Sequence, residues 1–162
     1  MSDARNASVG LDPAEVDRVL RLIEYLLSRP RPDEKTLRAR SRESFDKVWS
    51  IAAESGVTLG EAGLWRGTAI GSTDKKEFSE QWNSIADNFS AHASLVEAGV
   101  DALHETGLLP PPASVRRMAI ILRRAKRTDL EARLLRAWIA GTPRGTSAAY
   151  EDLLSRLAKL ET

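Results

Sequence analysis

Hydrophobic residues recur at intervals of three and four along most of the chain, which is the spacing of one face of an α-helix. Gly107 follows the longest such stretch, and glycine commonly ends a helix in the left-handed conformation. We therefore predict one long helix over about residues 74–106, with Gly99 as a kink or a point of close packing. Its apolar stripe consists of Phe78, Trp82, Ile85, Phe89, Val96, Val100 and Leu103.

A second long helix is predicted over about residues 33–55. Asp33 is expected to start this helix, and Gly56 is a natural left-handed end. A shorter helix precedes it, with Asp12 as the N-cap and Pro13 at the first helical position, where the fixed φ of proline fits. The expected seam of the 33–55 helix is Leu37, Phe45, Val48 and Ala52, with Trp49 and Ile51 beside it.

Three shorter helices are predicted after the stiff segment Pro110–Pro112. Ser114 is expected to cap a helix over residues 115–127. Thr128 and Glu131 have the spacing of a capping box for a helix over residues 129–140, and Thr146 or Ser147 caps a last helix that ends near residue 160.

These elements predict an all-α protein: a helical bundle with two long helices, about 33–55 and 74–106, and shorter N- and C-terminal helices. No run of β-branched residues alternates with polar residues, so we predict no strand. We expect a single domain over residues 1–162, with residues 1–10 flexible. The alternative is two lobes, 11–109 and 113–162, joined at Pro110–Pro112, but about fifty residues is marginal for an independent fold.

Composition narrows the class of protein. The chain has 162 residues, 42% of them hydrophobic and 29% charged, which is typical of a soluble globular protein. It has no cysteine, which excludes disulfides, thiolate metal sites and a cysteine nucleophile. No apolar run approaches the length of a membrane span, and the N-terminus lacks the pattern of a signal peptide. We therefore expect a cytoplasmic protein that does not contact a membrane.

Charge is distributed unevenly along the chain. The formal net charge of +1 divides into −5 for residues 1–109 (13 basic, 18 acidic) and +6 for residues 110–162 (11 basic, 5 acidic). This asymmetry predicts either an anionic partner for the last third or docking of the two parts on each other.

One predicted helix carries most of that basic charge. Its arginines cover the side opposite the apolar face, and no acidic residue lies between Ala113 and Thr128. A row of guanidinium groups suits a nucleic-acid phosphate backbone or an acidic protein surface. The alternative is that the row docks on the protein's own acids, such as Asp87, Glu97 or Asp101. The row consists of Arg116, Arg117, Arg123, Arg124 and Arg127.

A second basic cluster includes Arg38 and Arg42, and acidic residues interrupt it. The nucleic-acid hypothesis would gain if the two clusters shared one surface. The full cluster is Arg29, Arg31, Lys35, Arg38, Arg40 and Arg42.

The segment from Ile51 to Trp65 resembles the helix-turn-helix pattern, because Ala52 lies four residues before a turn glycine, Gly56, and Thr58 opens a second helix. The resemblance implies a DNA-reading helix over residues 58–66, with Trp65 and Arg66 as contacts. Glycines at positions 60 and 63 weaken that helix.

Catalytic chemistry has no support in the sequence. There is no Gly-x-Ser-x-Gly elbow and no phosphate-binding loop that ends in Lys-Ser or Lys-Thr. The histidines are His92 and His104, and Asp101 with His104 is only half of a helical metal-binding pair. We expect both histidines to be partly buried or on the surface, and we predict no metal and no cofactor.

The functional prediction is a non-catalytic helical binding protein, a small subunit or accessory factor that contacts a nucleic-acid backbone through the arginine row. The first alternative is a protein–protein interaction module or homo-oligomeric adaptor that uses an apolar helix face. The second alternative is a helix-turn-helix regulator of DNA.

Overall fold

The computed structural model describes residues 10–58, 62, 75–145 and 147–162. Across these ranges the chain forms seven α-helices and no strand, which confirms the prediction of an all-α fold. In chain order they are α1 (Pro13–Leu27), α2 (Glu34–Ser55), α3 (Lys75–Ser84), α4 (Phe89–Thr106), α5 (Ala113–Arg124), α6 (Thr128–Gly141) and α7 (Ala148–Leu160). None of the helices in these ranges combines the length and the hydrophobicity needed to cross a bilayer.

Several helix ends lie where the sequence places them. Asp12 caps α1 by accepting a hydrogen bond from the Glu15 amide at 2.8 Å, and the Glu15 carboxylate accepts one from the Asp12 amide. The side chain of Asp33 caps α2 by accepting a hydrogen bond from the Thr36 amide, and the side chain of Ser147 caps α7 by accepting one from the Tyr150 amide. Side-chain oxygens at these positions satisfy amide groups that have no partner within the helix.

The predicted single helix over residues 74–106 is wrong, because the chain breaks between α3 and α4. Ser84 ends α3, and the side chain of Asn88 caps α4 by accepting from the Ala91 amide at 3.0 Å. Asparagine and serine side chains compete for backbone hydrogen bonds, so they favour a turn and a new cap over a continuous helix. The predicted start at residue 74 lies outside the described residues.

The predicted caps of α5 and α6 are also wrong. Ser114 is a buried residue inside α5, and Pro112 is the residue before that helix. Thr128 is the first residue of α6 and makes no capping bond, because Glu131 turns inward to bind arginines. Lys126 has a φ of +59° in the turn after α5, so Arg127 lies beyond the helix that was predicted to carry it.

One hydrophobic core joins α1, α4, α5, α6 and α7, and its residues lie on both sides of Pro110–Pro112. Gly99 on α4 is the predicted point of close packing, since a Cβ there would lie only 3.1 Å from the Cβ of Pro110. Trp138 is also buried in this core. The largest buried members include Leu22, Leu103, Met118, Leu122, Leu130, Leu134, Leu135 and Trp138.

Helix α2 lies outside this core. None of its residues is buried, and among the described helices it contacts α4 alone. The contact is close at Gly107, where a Cβ would overlap the carbonyl oxygen of Leu37 and lie 2.8 Å from the Ser41 amide nitrogen. Phe45, predicted on the seam, is 47% exposed, because the half-buried stripe runs through smaller residues. That stripe is Leu37, Ser41, Ser44, Val48 and Ala52.

We predict that Gly107→Ala destabilises the protein more than Gly56→Ala. Both glycines have positive φ, +72° and +65°, so each substitution adds backbone strain of about 1–2 kcal/mol. At Gly107 the added methyl meets the backbone of α2, while at Gly56 no described residue beyond its chain neighbours lies within 4 Å of it. Urea unfolding measures both changes in the free energy of unfolding, and equal values would contradict the close contact.

Candidate functional site

The five arginines of the predicted row all lie within 4 Å of the protein's own carboxylates. Two of them, Arg117 and Arg124, share Asp87, as the docking alternative allowed. Much of the positive charge on this surface is therefore neutralised within the chain. The nitrogen-to-oxygen distances are 3.4 Å for Arg116–Asp152, 2.8 Å for Arg117–Asp87, 3.1 Å for Arg123–Glu131, 3.6 Å for Arg124–Asp87 and 3.0 Å for Arg127–Asp129.

Arg117 holds the turn between α3 and α4. Its Nε donates a hydrogen bond to the Ala86 carbonyl at 2.6 Å, and an Nη donates to Asp87. The side chain is mostly buried. Two fixed hydrogen bonds to one turn give this arginine a structural role in joining α5 to the α3–α4 turn.

The Glu131 side chain is fully buried and is bound by two arginines from different helices. Arg156 of α7 donates from Nε at 2.8 Å and from Nη2 at 3.0 Å, and Arg123 of α5 donates at 3.1 Å. The hydrogen bonds to Glu131 raise the pKa of Arg156 further above its ordinary value. This cluster ties α5, α6 and α7 together. Sequence reasoning missed Arg156, because nothing in its local pattern indicates a buried partner.

The other two acids suggested as partners of the row bind α1 instead. Arg18 contacts Glu97 at 2.6 Å, and Arg29 contacts Asp101 at 2.7 Å. The Tyr25 hydroxyl also donates to Asp101, and the Arg29 guanidinium lies 5.4 Å from the centre of the Tyr25 ring. Burial, followed by the hydrogen bond to Asp101, raises the pKa of Tyr25 to about 12. This network fixes α1 against α4.

The arginine row and the basic cluster at residues 29–42 contact opposite ends of α4. Arg117 and Arg124 bind Asp87, just before α4 begins, whereas Arg40 of α2 donates to the His104 carbonyl near its other end. Seventeen residues of helix span about 25 Å. Arg38 pairs with Glu34 within α2. These contacts give no sign of one continuous basic strip from the cluster at residues 29–42 to the arginine row.

His92 is fully buried, so the prediction of a partly buried or surface residue is wrong here. Its ring meets Trp82 edge to face, with centroids 5.1 Å apart, and within the described chain neither ring nitrogen makes a well-formed hydrogen bond. Burial lowers the pKa of His92, although the nearby carbonyls of Ile85 and Ala86 oppose the shift. The ring therefore packs in its neutral form at neutral pH. The described ranges hold no group of three potential metal ligands.

The outer face of α2 carries two exposed aromatic side chains. Phe45 is 47% exposed and Trp49 is 57% exposed, and their rings stack with centroids 6.1 Å apart. Arg38 and Arg42 precede them at helical spacing on the same face. Trp49 also lines a shallow cavity of about 320 Å³ with Ala52, Ala53, Val57 and Thr58.

Gly56 ends α2 in the left-handed conformation, as the helix-turn-helix interpretation requires. The predicted second helix lies outside the described residues apart from Thr58 and Ala62. Its two expected contacts, Trp65 and Arg66, belong to that undescribed part. The DNA-reading helix therefore stays a prediction.

Comparisons with protein-family models, with curated proteins and with solved structures give no match to this chain.

We predict that Glu131→Gln destabilises the fold far more than Asp129→Asn, in the same turn of α6. The first change weakens the hydrogen bonds that Arg123 and Arg156 donate to a fully buried carboxylate, and because both arginines are partly exposed the cost is about 1.5–3 kcal/mol. The second removes only an exposed pair with Arg127, for about 1 kcal/mol or less. Chemical denaturation at neutral pH compares the two, and similar losses would show that the buried cluster adds little.

Proposed function

We propose that this protein is a non-catalytic helical interaction module that self-associates through the outer face of α2. The observation that carries the proposal is a 22-residue helix without a buried residue that presents a stacked aromatic pair, Phe45 and Trp49. The proposal follows the first alternative from the sequence, a self-associating apolar helix face, but assigns that face to α2.

The aromatic pair supplies the apolar contact. Large aromatic side chains dominate the energy of protein interfaces when a partner covers them. The described residues include five exposed large hydrophobic side chains, and α2 holds three of them: Phe45, Trp49 and Ile51. The other two, Leu27 and Leu109, lie apart on α1 and in the α4–α5 loop. Ile51 follows Trp49 by two residues and lies on another side of the helix, so the apolar contact of the outer face consists of Phe45 and Trp49.

Charge favours a second copy of the chain in antiparallel orientation. Residues 34–43 of α2 carry four basic and two acidic side chains, a net charge of +2. Residues 44–55 carry one basic and two acidic side chains, a net charge of −1, and the last turn has no basic residue to offset the helix dipole. Arg40 contacts α4, so Arg38 and Arg42 are the cations on the face of Phe45 and Trp49. Antiparallel packing places these two near the acidic C-terminal end of the partner's α2, while parallel packing opposes like charges. Such a contact is self-complementary under two-fold symmetry.

We predict that the wild-type protein is a dimer and that the double variant Phe45→Ser/Trp49→Ser is a monomer. Truncating two interface aromatics costs at least about 2 kcal/mol each, which raises the dissociation constant by roughly a thousandfold. The matched control is Leu27→Ser/Leu109→Ser, which removes exposed apolar residues elsewhere and should stay dimeric. Light scattering after size exclusion measures the mass. A monomeric wild type, or a control that dissociates equally, contradicts the proposal.

The antiparallel orientation of the two α2 helices can be tested by the same light-scattering measurement. Arg38→Glu/Arg42→Glu should weaken the dimer, because both halves of α2 then become acidic. Adding Asp46→Lys and Glu54→Lys to the same chain restores opposite halves and should restore the antiparallel dimer. A parallel pair gains nothing from the second change, so failure to recover would contradict the antiparallel arrangement.

Nucleic-acid binding is the second candidate, and Arg116 and Arg124 are the residues that favour it. Their side chains are 51% and 54% exposed, and their ion pairs with Asp152 and Asp87 are long. Replacing these aspartate contacts with contacts to a phosphate therefore costs little free energy. If these residues contact phosphates, Arg116→Ala/Arg124→Ala should reduce the salt dependence of binding by about two phosphates. Fluorescence anisotropy with single- and double-stranded oligonucleotides measures the slope. Absence of binding at low salt excludes this candidate.

A further inference from the structure

A groove between α5 and α7 has a different character from the outer face of α2. It encloses about 310 Å³, near the lower end of the volumes of small-molecule sites. Its apolar lining comes from Ala119 and Ile120 on α5 and Leu153 on α7. Arg123, Arg156 and Lys159 line it as well. An apolar surface beside three cations is the pattern of a site for an amphipathic anion.

The cations are available in spite of Glu131. Arg123 and Arg156 each use Nε and Nη2 to hold that carboxylate, so the hydrogen-bond pattern of the described residues leaves Nη1 of each free. Lys159 has no ion pair with a described residue and lies in the last turn of α7. Because Glu131 is fully buried, a ligand meets guanidinium and ammonium groups rather than the carboxylate. Three cations against one acid give this end a net charge of +2.

The opposite end of the groove is electrically balanced. Arg116 and Asp152 line it and face each other across it at 3.4 Å. A single anionic group is therefore attracted to the Lys159 end, and the rest of the ligand extends over the apolar middle.

We infer that this groove binds a small organic anion. Its phosphate or carboxylate group contacts Arg123, Arg156 and Lys159, and its apolar body packs mainly on Ile120, beneath which lie the buried side chains of Ala119 and Leu153. The two arginines are already positioned by the buried carboxylate, so binding orders few side chains, which favours affinity. The site is independent of α2 and does not require self-association.

Phenyl phosphate and benzoate are suitable probes. Inorganic phosphate and phenol, the two halves of phenyl phosphate, serve as reference ligands. Amide chemical shifts in two-dimensional NMR report both affinity and location. We expect changes concentrated at residues 116–123 and 152–159, and tighter binding of phenyl phosphate than of either half. Whichever of phenyl phosphate and benzoate binds with the lower dissociation constant shows whether the groove prefers a phosphate or a carboxylate group. No shift at millimolar probe, shifts spread over other helices, or equal affinity for inorganic phosphate would overturn the inference.

Lys159→Gln tests the cationic end without disturbing the buried cluster. Loss of one charge-assisted hydrogen bond should weaken phenyl phosphate roughly tenfold. Lys126→Gln is the matched control, because that exposed lysine lies in the α5–α6 turn and does not line the groove. Ile120→Ser should weaken phenyl phosphate and leave the affinity for inorganic phosphate unchanged. Equal effects of the two lysine variants would show non-specific attraction and overturn the site.

Discussion

The carboxylate of Glu131 is removed from water and neutralised by guanidinium groups of two other helices. A buried charge without a partner costs several kcal/mol, so Arg123 and Arg156 must stay where they are once the core closes. The cluster thereby fixes α5 and α7 relative to α6. It also affects what the basic third of the chain offers to a partner, because Arg123 and Arg156 line the α5–α7 groove while part of their hydrogen-bonding capacity is directed inward to Glu131.

The same use of arginine recurs elsewhere in the molecule. Arg18 and Arg29 join α1 to α4, while Arg117 and Arg124 join α5 to Asp87. The uneven charge along the sequence is thus partly matched by contacts between the acidic and basic parts. Much of what the composition suggests as attraction to an external anion serves to assemble the helices.

Local signals predicted part of this architecture well. Gly56 and Gly107 end helices because left-handed backbone suits glycine, and that chemistry is readable from neighbouring residues alone. The break at residues 85–88 was not readable, since apolar spacing continues across it. The spacing of Thr128 and Glu131 fits a helix cap, and only the packed structure shows that the carboxylate points inward. Periodicity placed Leu37, Val48 and Ala52 correctly in the half-buried stripe of α2, but it did not show that Phe45 lies beside that stripe.

The attachment of α2 to a single neighbour has a dynamic consequence. A helix without buried residues can open while the core remains intact, so its amide protons exchange with solvent through local unfolding and not through global unfolding. A partner that recognises only the folded helix stabilises it by mass action. Association and the ordering of α2 are then thermodynamically linked, and the apparent affinity includes the free energy of keeping that helix formed.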